Sequence, residues 1–278
     1  MTFSASWVIT VLLLSLRLAA VLLMTPILAA ASVPAVFRML LVLALAAALS
    51  LGLPSATAPA PLLAGGVGAL LGAGFTELAL GATLALGVLV AFAAFSMAGQ
   101  ILGIQMGFGL AQVIDPVSNA GLPIVASAYN QIAILVFFLA DGHHALLRGV
   151  AFGLERFPLG QPWPVEAAAG PLLEQVVGLF GLGFALAAPV VFCLLLVEVA
   201  LGILARNLPQ MNMILMGIPV KVVVGLVALA LWFGSMGGVM DRVYDGIFRT
   251  WDGIFAVESG VGPTGRGQQL LPGRGGGR

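Results

Sequence analysis

Apolar residues run along this chain in blocks far longer than the polar stretches between them, and the blocks predict its elements. The first covers residues 7–30, interrupted by Arg17 and by Thr25-Pro26. After a short break holding Pro34 and Arg38, a second run covers residues 39–53. Residues 54–61, PSATAPAP, read as a turn or linker, because proline removes a backbone donor and resists helix. A third run covers 62–97, a fourth 124–140, a fifth 171–205 and a sixth 211–238. Between the fourth and fifth lies the most polar interior segment, residues 141–170. Runs this long predict helices, since a membrane barrel would alternate polar and apolar residues in segments of roughly ten. The expected fold class is therefore an all-α membrane protein with about six hydrophobic helical segments.

Two of these lengths are awkward for a simple bundle. A hydrocarbon core about 30 Å thick needs about 20 helical residues. At about 1.5 Å per residue, 171–205 as one helix would reach roughly 50 Å. The third run with its continuation would be longer still. Two readings stand. Either these helices are broken, at Pro189 and among the glycines that follow Ala98, or they project beyond the bilayer against protein partners.

Composition sharpens the membrane reading. Of the 278 residues 61% are hydrophobic and only 8% charged, where a soluble domain averages about 25% charged. Mean hydropathy is +1.14. From Met1 to Ala140 the only charges are Arg17, Arg38, Glu77 and Asp115. Net charge is zero, so no bulk field draws nucleic acid or anionic ligands. The single Cys193 excludes an internal disulfide and reads as a small core residue. The N-terminal run lacks a basic residue before Arg17 and exceeds a usual signal-peptide core, so it reads as a retained membrane helix. Five arginines follow the sixth run (Arg242, Arg249, Arg266, Arg274 and Arg278), which favours a cytoplasmic C-terminus. Residues 1–255 read as one membrane helical domain, and 256–278 as a Gly/Arg-rich tail expected to be disordered.

Charges inside apolar runs cost a few kcal/mol each. Arg17, Glu77 and Glu198 are such charges. Glu198 and Arg206 share one helix face by spacing; the plainer reading has each charge snorkelling or bonding to backbone.

The least expected stretch is AGQILGIQMGFGLAQVIDP, residues 98–116. Gly99, Gly103 and Gly107 fall on one helical face, where small residues let another backbone approach. Each glycine costs about 0.8–1 kcal/mol against alanine in a helix, so tight packing or a required departure from helix must offset them. Pro116 then disfavours α geometry at Asp115, and Ser118, Asn119 and Gly121 are turn formers. Residues 108–123 read as a re-entrant or cavity-lining segment, or as an aqueous loop. A second polar interruption, residues 198–221, crowds Arg206, Asn207, Gln210, Asn212 and Lys221 (the chain's one lysine) around Pro209 and Pro219. It reads as an interhelical turn with an interfacial basic residue, or as a polar subunit contact.

Chemistry is sparse. The DGHH motif, Asp141 to His144, raises metal binding. Adjacent histidines on a helix point about 100° apart, which disfavours shared ligation, and no metal site or cofactor is expected. No nucleophile elbow, phosphate loop or zinc-protease motif is present, and no catalytic set is visible. An enzyme is not expected. A stand-alone secondary transporter is the competing class, although no internal repeat supports it.

Four stretches taken together resemble one family: RLAAVLLMTPIL with VPAVFR, then AGQILGIQMGFGLAQVIDPVSNAGLPIV, then VFFLADGHHALLRG, and LARNLPQMNMILMGIPVK. They look like the flagellar biosynthetic protein FliR and its injectisome counterparts. The resemblance spans about residues 7–252. It implies an inner-membrane subunit of the type III export gate in the flagellar basal body, without enzymatic chemistry. The implied build is a FliP-like part followed by a FliQ-like helical hairpin. Implied partners are FliP-like and FliQ-like subunits in a helical assembly, FlhB-like and FlhA-like proteins, unfolded exported polypeptides, and lipid. The resemblance also implies that the segment with Phe108, Gln112, Val113, Ile114, Asp115, Pro116, Asn119 and Pro123 is a plug loop that helps keep the pore shut. Arg206, Pro209, Gln210, Asn212, Pro219 and Lys221 match its late motif and are assigned to subunit contact. Met97, Met106, Met211, Met213 and Met216 are flexible, polarizable side chains that either seal around a passing chain or simply fill core gaps.

Overall fold

The computed structural model describes residues 5–29, 34–52, 65–108, 124–161, 163, 165–208 and 213–256. The described residues are helical, in the order α1 (Ala5–Leu23), α2 (Pro26–Ala29), α3 (Ala35–Gly52), α4 (Gly66–Gln105), α5 (Ile124–Leu139), α6 (Gly142–Arg156), a 3-10 turn (Val165–Ala168), α7 (Ala169–Asn207), α8 (Met213–Phe233) and α9 (Gly237–Ala256). Five of the helices are long and apolar enough to cross a membrane, or six if α5 and α6 form one broken span. The chain is thus an all-α, multi-pass membrane protein.

The two long runs are single helices. α4 has 40 residues and α7 has 39, so each is about 60 Å long if straight. α7 continues through Pro189, and α4 runs through Gly99 and Gly103 to Gln105. Of the two readings of these lengths, a break at Pro189 is therefore excluded. Proline removes one backbone hydrogen bond and crowds the preceding turn. In the turn before it, the Leu186 carbonyl accepts a hydrogen bond from Trp232 Nε1 of α8 at 3.0 Å, which ties that stretch of α7 to the next helix.

The chain divides into two compact units, and the residues of α4, α5, α7 and α9 are shared between them. The first comprises residues 1–90, 137–176 and 245–278. In it α1 packs on α3 and α2, burying Leu13, Leu14, Leu18 and Val21. α1 meets α4 closely at Gly81, where a Cβ would stand 2.5 Å from the Arg17 carbonyl oxygen. Trp251 of α9 is fully buried. Its indole N–H donates to the Leu84 carbonyl at 3.1 Å, and its ring lies where a side chain on Gly149 of α6 would be. Phe255 adds ring contacts to Phe152 and Phe157.

The second unit comprises residues 91–136 and 177–244. Its interior holds Phe95, Ala98 and Leu102 of α4, Ala126, Tyr129 and Ala133 of α5, and Leu186, Val190 and Leu194 of α7. Tyr244 stacks on Phe95 and donates its hydroxyl proton to the Ala133 carbonyl at 2.6 Å. By contrast, α8 leaves Val223, Leu226, Val227 and Leu231 exposed, and α7 leaves Phe180, Phe184, Phe192 and Val199 exposed. Such surface is disfavoured in water and calls for lipid or protein cover.

α9 is amphipathic. Val239, Met240, Val243, Tyr244, Ile247, Phe248, Trp251, Ile254 and Phe255 are buried, a period of three to four residues. Asp241, Arg242 and Arg249 are exposed between them.

Candidate functional site

The end of α4 is built in detail. The Phe108 N–H donates to the Gly103 carbonyl and the Gly107 N–H to the Ile104 carbonyl, both at 3.0 Å. Gly107 has φ +94. These are the paired bonds and the left-handed residue of a Schellman cap, which satisfies the last helical carbonyls and turns the chain away. Gly107 therefore lies beyond the helix and caps it, rather than extending a helical stripe. Gly99 has the close approach: a Cβ there would stand 2.5 Å from Ala126 Cα of α5. Gly103 is buried in α4. Next to the cap, Met106 is fully buried and fills the space over Gly225 of α8, where a Cβ would lie 2.7 Å from its Cε. The root of the following segment is thus fixed on both α5 and α8. Phe108 is half-buried at that root. Gln112, Val113, Ile114, Asp115, Pro116, Asn119 and Pro123 lie outside the described residues, as does the tail from 257.

The late motif is described in part. Lys221 Nζ of α8 lies 2.5 Å from Glu198 Oε1 of α7, and both side chains are partly exposed. Glu198 is thus paired with Lys221 of the neighbouring helix rather than with Arg206, the residue that spacing placed on its helix face. Arg206 is exposed in the last turn of α7, where a cation complements the helix dipole. Pro219 is exposed within α8. Pro209, Gln210 and Asn212 lie outside the described residues.

In the first unit, Arg17 and Glu77 form an ion pair at 2.6 Å with both side chains 2% exposed. Arg17 Nη2 donates to the Phe157 carbonyl at 3.0 Å, and the Gly160 N–H donates to Glu77 Oε1 at 2.9 Å. Two charges are therefore spent on tying the turn after α6 to α1 and α4. No sequence spacing announces this pair, since 60 residues separate its members. On α9, burial pushes the Asp252 carboxyl up to about 6.

These features form an anchored helix end, two interhelical ion pairs and wide apolar faces, an arrangement suited to packing against lipid or other helices. The chain matches the model of the family described as bacterial export proteins, family 1, over residues 8–247. It is 31% identical to the flagellar biosynthetic protein FliR of Bacillus subtilis over 186 residues, covering 66% of this chain and 72% of the relative. The chain belongs to the FliR family of bacterial export proteins. FliR of Escherichia coli is 30% identical over 173 residues, 62% of this chain and 66% of that protein. SpaR of Shigella sonnei, a surface presentation of antigens protein, is 29% identical over 147 residues, 53% of this chain and 57% of its own length. The FliR family match takes in the capped end of α4, the segment after it, and both ion pairs.

Proposed function

We propose that the chain is an inner-membrane subunit of the flagellar type III protein export gate, lining part of the closed pore through which unfolded flagellar proteins leave. The observation that carries this reading is the family match over residues 8–247, joined to flagellar relatives at about a third identity. The structure supports it in three ways. α4 and α7 are about twice as long as the hydrocarbon core of a bilayer is thick, so parts of them need protein cover. The exposed faces of α7 and α8 supply broad apolar surface for neighbours. The capped end of α4, packed on α5 and α8, is a firm root for a plug formed by the residues after Phe108.

In this reading Lys221 and Arg206 stand at subunit contacts, with FliP-like and FliQ-like subunits as neighbours and FlhB-like and FlhA-like proteins at the base. No bond making is assigned to the chain. Its work is to seal, and then to admit, an extended polypeptide.

The test is affinity purification of the tagged chain from mild detergent, followed by native mass spectrometry. The expected result is one copy bound to several small FliP-like and FliQ-like membrane proteins. A well-behaved monomer or homo-oligomer without partners would overturn the reading and favour a stand-alone transporter.

A further inference from the structure

Asp141 sits between α5 and α6 in the left-handed region, φ 56 and ψ 24. It holds the N-cap position of α6, yet its carboxylate makes no capping hydrogen bond. A capping aspartate would normally accept from an N–H of the first turn. Here the carboxylate instead lies 3.3 Å from His144 Nδ1.

His143 completes the group. Its ring centroid is 4.1 Å from that of His144 and 5.4 Å from that of Phe138. Its Nδ1 is shielded from water and has no hydrogen-bond partner. A buried polar nitrogen without a partner is a cost that native structures seldom carry unexplained. The 100° separation of neighbouring histidines holds, but both belong to the first turn of α6 and their rings lean together. Ligand atoms of Asp141, His143 and His144 all lie within 4.8 Å of one another.

We propose that Asp141, His143 and His144 bind one divalent transition-metal ion. Two imidazoles and a carboxylate suit zinc, cobalt or nickel and are a poor set for calcium or magnesium. Ligands on a tetrahedral zinc, with bonds of about 2.0–2.1 Å, stand roughly 3.3–3.4 Å apart. The Asp141–His144 pair already has that spacing. His143 needs only a side-chain adjustment, because the other two side chains are 76% and 62% exposed and free to follow it. The same exposure leaves the remaining coordination positions to water and gives the ion a path in. Bound there, the ion would fasten the residue before α6 to the first turn of the helix. The proposal does not rest on the export-gate reading.

The experiment uses the full chain in detergent, purified on a tag without histidines and treated with chelator. Equilibrium dialysis against zinc, with metal counted by mass spectrometry, should give one ion per chain that chelator removes. Asp141→Asn and His143→Gln should each weaken binding at least tenfold. Cobalt should give a ligand-field spectrum in the wild-type chain that is lost in both variants. Acid should release the ion, because protons compete for imidazole. Apo variants that melt at the apo wild-type temperature exclude misfolding as the cause. Absence of bound zinc in the wild-type chain overturns the proposal. So does equal binding in the variant that combines Asp141→Asn, His143→Gln and His144→Gln.

Discussion

Arg17 and Glu77 show how a single side chain is tolerated in an apolar setting. Each charge alone would be costly to bury; each is paired with the other and bonded to a backbone group of the Phe157–Gly160 turn, while Arg17 Nη1 is buried with no hydrogen-bond partner among the described residues. Removing one member leaves the other without compensation. Glu77→Gln is therefore expected to destabilise the first unit by about 3–5 kcal/mol, read as a lowered unfolding temperature in detergent. Replacing both with apolar residues of similar volume should recover most of that loss. An unchanged melting curve for Glu77→Gln would remove the pair from the account. Asp252 works in the opposite sense. Its carboxyl titrates near 6 in the folded chain against an ordinary 3.8, so the folded state holds the proton more tightly. Its contribution to stability is fully present below the ordinary value and is lost as pH rises through about 6. The group is only half-buried, so screening keeps the effect small. Asp252→Asn should flatten this part of the stability profile between about pH 4 and pH 7, measured by thermal unfolding across that range.

Among the helices, α4 makes a close backbone approach to α1 at Gly81 and to α5 at Gly99. Gly99 faces the backbone of α5, and a larger residue has nowhere to go. Gly99→Leu is expected to cost several kcal/mol through overpacking against Ala126, seen as loss of purified protein or of its complex. Normal yield and stability would mean that the α4–α5 contact relaxes easily. The elements themselves were largely legible in the sequence, because each apolar run of suitable length became a helix. What the runs could not give was continuity. Pro189 leaves a break open as one reading, but α7 continues through it; proline alone does not tell a tolerated interruption from a stop. Gly107 shares the spacing of Gly99 and Gly103, yet its positive φ ends the helix; spacing alone cannot tell a packing glycine from a capping one. α9 follows the last apolar run and no apolar block marks it, although its three-to-four-residue period from Val239 to Phe255 is plain in the sequence. The Arg17–Glu77 and Glu198–Lys221 pairs depend on which helices become neighbours, information that no local pattern carries.

For the whole molecule, the export-gate reading makes a demand on the residues between α4 and α5. If they plug a pore rooted at Phe108, deleting residues 112–122 should leave assembly intact and make the membrane leaky to ions. Wild-type conductance in an assembled deletion mutant would count against a plug there. The FliR family match supplies the setting for this test, and the Schellman cap and the Met106–Gly225 contact supply its boundary, since they fix the chain just before the deletion begins.

The lengths of α4 and α7 also bear on the life of the chain before it meets any partner. A helix about 60 Å long would have to lean by roughly 60° to fit within a 30 Å hydrocarbon layer, well past the 40° limit of observed tilts. A newly inserted copy on its own therefore has apolar helix that lipid cannot cover. Such a misfit is what membrane proteases and chaperones recognise. The cellular half-life of this chain, followed by pulse-chase labelling, should be short when it is made alone and lengthen when its neighbours are co-expressed. An equal half-life in both cases would mean that the long helices find shelter within the single chain. If the two differ, its abundance is set by its assembly partners, and surplus copies are cleared before they can open an unguarded path through the membrane.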